Sequence, residues 1–169
     1  MKTGLSTLGI AALCLAGAAC GASQGPTSAA DAARSSVYTC NLDQMLDAAA
    51  QAVEAQFQKV ASKDKDQAVV IGDPHWYVPA DGALRGDAKI QPTKGDIALA
   101  PRVRIVDLRP NYQVEIDAYV REFVGTPEPR DLPEGDPKRP AWVQERLDKL
   151  ATDIHGRLSS CSELVRPKS

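Results

Sequence analysis

Between Asn41 and Val60 the apolar residues fall at Leu42, Leu46, Ala49, Val53, Phe57 and Val60, advancing by fours and threes. That spacing holds them on one face of an α-helix, with Asp43, Asp47, Gln51, Glu54, Gln58 and Lys59 on the others. Asn41 with Gln44 three residues later has the spacing of a capping box, so a helix is predicted from 42 to about 60. A second stripe, Val143, Leu147, Leu150, Ile154, Leu158 and Cys161, follows Pro140, whose missing amide suits the first helical position. Gly156 interrupts this helix at a cost of about 1 kcal/mol relative to Ala, and close helix packing is the expected reason for it.

Between the helices the period drops to two. Tyr112, Val114, Ile116, Ala118 and Val120 alternate with Gln113, Glu115, Asp117 and Tyr119, the mark of a strand covered on one face. Residues 102–108 precede it. A four-residue loop over 109–112 would set Ile105 opposite Ile116, Val103 opposite Ala118 and Arg104 against Asp117. Residues 67–78 form a further predicted strand in which Pro74 argues for an edge position or a bulge, and 88–90 and 97–99 are candidate short strands. The expected fold class is α+β: a small antiparallel sheet of three or four strands with two antiparallel helices packed on one face, in the order helix, strands, helix.

The start of the chain follows another pattern. Lys2 precedes an apolar stretch over 5–15 and a small-residue run, Ala16-Gly17-Ala18-Ala19, that ends at Cys20. The stretch is shorter than the about 20 apolar residues a membrane span needs, and no later run approaches that length. At Cys20 the sequence resembles the lipobox of bacterial lipoproteins, in which small residues precede a cysteine that is diacylglycerylated, freed by a dedicated peptidase and then N-acylated. Gly17 stands where that family usually carries an aliphatic residue, Leu15 lies close by, and no charge interrupts the ten residues before Cys20. An ordinary cleaved secretory leader is the alternative. The resemblance implies a signal peptide over 1–19 and lipid attachment at Cys20. Each buried methylene contributes about 0.8 kcal/mol, so two or three chains, palmitate among them, hold a membrane firmly. Gly21 in place of Asp implies, by analogy with enteric lipoproteins, an outer-membrane anchor facing the periplasm.

Residues 21–36 are small and polar and are expected to form a flexible tether of roughly 20–24 Å reach, a helix through 29–34 having nothing to bury it. Residues 37–164 have the length of one domain, and 165–169 form a tail. Of 20 basic and 22 acidic side chains only Lys2 lies in the leader, so the processed chain carries a formal charge of −3. That balance suggests no nucleic-acid partner. Cys40 and Cys161 remain at the two ends of the domain, and a disulfide is expected in an oxidising compartment, with two partly buried thiols as the alternative. Neither has a second Cys or His at ligand spacing, so no metal site is expected.

No catalytic, phosphate-binding or dinucleotide motif occurs, and no cofactor is expected. His75, two residues after Asp73, offers a weak acid–base pair across Pro74, and His155 lies on a helix flank. A candidate partner surface is the aromatic set Trp76, Tyr77, Tyr119 and Phe123; a second is the proline-rich loop over 125–139. The expected role is therefore a non-enzymatic lipoprotein acting as a structural or accessory subunit of an envelope machine for secretion, assembly or surface motility, docked on another envelope protein. A small-ligand carrier or receptor with a cavity between helices and sheet is the alternative, and a hydrolytic enzyme the third.

Overall fold

The computed structural model describes residues 28–164; the leader, Cys20 with its lipobox, residues 21–27 and the tail lie outside the described residues. Asn41 caps α2 (Leu42–Phe57) as its spacing predicts: its side chain accepts from the Gln44 N–H at 2.9 Å, and Gln44 Oε1 accepts from the Asn41 N–H at 3.2 Å. The helix stops before Val60, because Gln58 takes a positive φ of 69° and turns the chain into β2 (Val60–Asp64). The second stripe forms α3 (Ala141–Arg157), after which a short 3₁₀ turn over Ser159–Cys161 leads into β9 (Ser162–Leu164).

The expected small sheet is wrong. Among the described residues nine strands pair antiparallel and three α-helices are present, against the expected three or four strands and two helices. At the centre lie β6 (Ile97–Asp107) and β7 (Tyr112–Glu122), paired over eleven positions. β3 (Val69–Gly72) and β4 (His75–Tyr77) pair successive stretches of β6, with β2 beyond β3 and β5 (Leu84–Asp87) beyond β4. On the far side of β7 lie β1 (Ser36–Tyr38), continued by β9, and the two-residue β8 (Arg130–Asp131). Most of the missed strands have two to four residues, too few to display a period of two; their pairing to β6, β7 or each other defines them.

The β6–β7 hairpin also differs in register from the expected one. Val103 faces Ile116, Ile105 faces Val114 and Arg102 faces Asp117, because Leu108 leaves the ladder and donates to Asn111 O at 2.8 Å, so the loop is 108–111. The slip is two residues, which preserves every side chain's face. Pro74 marks a bulge within the sheet: between the pairs Ile71↔Arg102 and His75↔Leu99, three residues oppose two. Gly72 belongs there because a Cβ would lie 2.6 Å from Pro101 Cγ.

α2 and α3 cover one face of the sheet. The Cys40–Cys161 disulfide joins the start of α2 to the turn after α3, with 5.5 Å between the Cα atoms. Met45, Leu46, Val53 and Phe57 interleave with Val143, Leu150 and Ile154 over Val70, Leu99 and Val103, all essentially without solvent contact. Residues 28–36 are part of the fold and not of a tether. α1 (Ala29–Ser35) buries Ala30 and Ala33 and packs on α3 and β7, Arg34 pairs with Asp148 at 2.6 Å, and Gln113 Nε2 donates to Arg34 O at 2.9 Å. A two-alanine contact is too sparse a pattern to have signalled burial. Gly156 has no atom within 4 Å of a Cβ position, so helix packing does not explain it.

Gly156→Ala should therefore stabilise the domain by up to about 1 kcal/mol in denaturant titrations. Replacing Cys40 and Cys161, which close a loop with a separation of 121 residues, should cost up to about 5 kcal/mol. Tyr38, fully buried with its hydroxyl 3.1 Å from His155 Nδ1, has its pKa pushed up to about 12 by burial, tempered by Ser36. Its folded-state value lies above the unfolded one, so its contribution is complete below pH of about 10 and is lost as pH rises toward 12. The fall in thermal midpoint over that window should be shallower in Tyr38→Phe.

Candidate functional site: an aromatic groove on the helix-free face of the sheet

Cross-strand pairing sorts the side chains of the sheet into two faces. Trp76 lies opposite Ala98, Ala98 opposite Arg121, Ala100 opposite Tyr119, Arg102 opposite Asp117 and Arg104 opposite Glu115, and all of these share the face without helices. Ile97, Leu99, Val103 and Ile105 point the other way, into the core. Ala98 and Ala100 have little height, whereas Trp76 and Tyr119 stand up on either side. The result is an open groove of about 440 Å³ lined by these four with Pro74, Ala88, Arg121 and Pro129.

The walls are braced. Phe123 meets Trp76 edge to face, with ring centroids 6.1 Å apart and planes at 78°. Arg102 donates from Nε and Nη2 to the two Asp117 oxygens at 2.7 and 2.5 Å, from Nη1 to the Tyr119 hydroxyl at 3.0 Å, and lies 5.0 Å from the centre of that ring. Its bidentate bond to Asp117 drives the Arg102 pKa further upward, so it stays a cation. Arg104 pairs with Glu115 and Arg121 with Asp131, so the charges around the groove are matched in place. Tyr119 nevertheless remains 46% exposed.

Of the four aromatics read from the sequence, three come together here and Tyr77 does not. As the neighbour of Trp76 in β4 it faces the helices, 2% exposed, with the Trp142 ring 5.5 Å away and the Arg146 guanidinium 4.7 Å over its face. Burial raises its pKa and the Arg146 charge lowers it in part. The Asp73–His75 pair is not assembled. His75 is buried with Nδ1 2.9 Å from the Asp73 backbone carbonyl, while the Asp73 carboxylate turns to Lys59 at 3.5 Å. His155 is engaged by Tyr38. The loop over 125–139 is pinned midway by β8, by the buried Leu132 and by Arg139 donating to Leu132 O at 3.3 Å.

Sequence reasoning missed the groove's floor, although Ala98, Ala100 and Arg102 show the period of two that extends β6 backward to residue 97. It also missed Asp96, whose buried carboxylate accepts from the Thr93 N–H at 2.8 Å and from Arg85 Nε at 3.2 Å. That residue fixes the turn from which β6 departs, and its carbonyl accepts from the Phe123 N–H at 2.8 Å. The space between helices and sheet, where a carrier would hold its ligand, is filled by core side chains. Among the described residues no group of three His, Cys, Asp or Glu side chains is placed to hold a metal ion.

Tyr77→Ala should cost about 3–5 kcal/mol of stability as a core truncation, whereas Tyr119→Ala should cost no more than about 1 kcal/mol. Paired urea titrations measure the difference.

No family model matches the chain, and no curated protein matches it at a significant level.

Proposed function

We propose that this chain is a lipoprotein held in the outer membrane through acyl chains on Cys20, facing the periplasm, and that it serves as a structural or accessory subunit of an envelope machine for secretion, assembly or surface motility. It works by docking and performs no reaction. The observation that carries the docking reading is the groove between Trp76 and Tyr119: a concave apolar floor with a large exposed aromatic wall, surrounded by already matched ion pairs. Rigid aromatic side chains over an apolar floor are what binding hot spots are built from, and neutralised charges at the rim cost little to bring against a partner. Anchoring raises local concentration, so a weak interface suffices. A small-ligand carrier is the second reading, favoured by a groove volume of about 440 Å³, within the usual range for ligand sites.

Cys20→Ser should abolish palmitate labelling and move the protein out of the outer-membrane fraction; retention of both would refute the anchor. A photo-cross-linker at Tyr119 in intact cells should capture a single envelope protein, and Trp76→Ala should abolish that product while the domain stays folded, its thermal unfolding remaining cooperative at a somewhat lower midpoint because the Phe123 contact is lost. Cross-linking indifferent to Trp76→Ala would sink the docking reading.

A further inference from the structure

The sheet has a gap in its pairing beside β7. Ile105 donates to Ala68 O at 2.8 Å, so the odd residues of β6 turn their backbone groups toward β3 and the even ones toward β7. The odd residues of β7 are satisfied by that ladder, as Phe123 confirms by donating to Asp96 O. The N–H and C=O of Ile116 and Ala118 therefore point to the opposite edge. β1 occupies that edge at Tyr112 and Gln113, and β8 at Arg121 and Glu122, with Leu132 N–H reaching Val120 O at 2.8 Å. Between them, among the described residues, no strand pairs with Ile116 or Ala118.

Both neighbours stop for physical reasons. After Leu132 the chain leaves the line of β8 in a turn, Asp136 N–H donating to Pro133 O at 3.1 Å, and the chain before Ser36 turns into α1. A cleft of about 280 Å³ remains, with Ile116, Ala118 and Leu147 along its apolar side, Arg34 toward α1, and Glu134 and Arg139 toward the loop. The exposed edge of β2, by contrast, is guarded. β2 carries Lys63, paired with Asp47, and a register shift between Val60 and Ser62. The open stretch of β7 has neither lysine nor proline.

We propose that this gap receives one extended segment of a partner protein by antiparallel strand addition, in line with β1 and β8 and bonded to the backbone of Ile116 and Ala118. The proposal rests on the docking reading, since Arg102 and Tyr119 lie between the cleft and the groove. The recess selects the occupant. The flat edge of a second copy would meet α1 and the loop over 133–139 before reaching β7, whereas a single extended chain of about five residues, roughly 17 Å long, fits between them. Its residues opposite Ile116 and Ala118 share their face and are apolar; the alternate ones face Asp117 and are polar.

The test uses the full chain in detergent and a heptapeptide of alternating threonine and valine, read by residue-resolved amide exchange. Saturating peptide should slow the Ile116 and Ala118 amides by about tenfold or more and leave the ladder-bonded Glu115 and Asp117 amides unchanged. N-methylation of the valine amides, which face β7, should abolish the effect; N-methylation of the threonine amides should not. Overturning results are no slowing at Ile116 and Ala118, slowing that survives valine N-methylation, or protection that rises with protein concentration without peptide, which would make a second copy the occupant. Trp76→Ala should leave the peptide effect intact. Loss of cross-linking in that variant alongside an unresponsive β7 would retain the groove and reject strand addition.

Discussion

The eleven-position ladder between β6 and β7 is the constraint from which the rest of the molecule follows. Every other strand except β2, β5 and β9 pairs directly with one of these two, and those three attach through an intermediate. One face of the ladder supplies Leu99, Val103, Ile105 and Val114 to the core beneath α2 and α3; the other supplies the groove. Sheet parity is thus the link between sequence and site. A slip of one residue would exchange the two faces, placing Ala98, Ala100 and Arg102 under the helices. The ion pair of Arg102 with Asp117 and that of Arg104 with Glu115, each between directly opposed residues, favour the observed register over that alternative.

Much of this was legible in the sequence where a pattern ran long enough to be read. The capping box at Asn41, the stripes of α2 and α3, the alternation of β7 and the pairing of Cys40 with Cys161 each rest on spacing over many residues or on a cysteine count. What escaped reading was decided by tertiary contact. The alanines of α1 read as tether filler, yet Ala30 and Ala33 are buried and Arg34 reaches Asp148. β8 and Leu132 carry no signal within a proline-rich loop for the same reason: two residues suffice once β7 is there to template them. Of the four aromatics, Trp76, Tyr119 and Phe123 share one face and Tyr77 does not, because adjacent strand residues must face opposite ways.

The division of labour between faces explains how a domain with so few aromatics keeps an exposed one. Core volume is supplied by Leu, Val, Met and Ile on the helix side, with Tyr38, Phe57 and Tyr77 buried among them. Tyr119 is left free of a packing role, fixed instead by the Arg102 guanidinium, which is itself held by both oxygens of Asp117. An aromatic ring positioned by charge and not by burial keeps its orientation while its surface stays available.

The inclusion of α1 in the folded body shortens the leash. In the proposed anchored state only residues 21–27 separate the acylated Cys20 from Ser28, and eight residue steps span at most about 29 Å. A domain of this length has a radius of gyration of about 14 Å, and so a width exceeding that span. In that state the body could not turn over freely above the lipid: the corner that bears Ser28 could rise no more than about 29 Å from the headgroups, and whatever the domain engaged would lie within about two protein diameters of the bilayer.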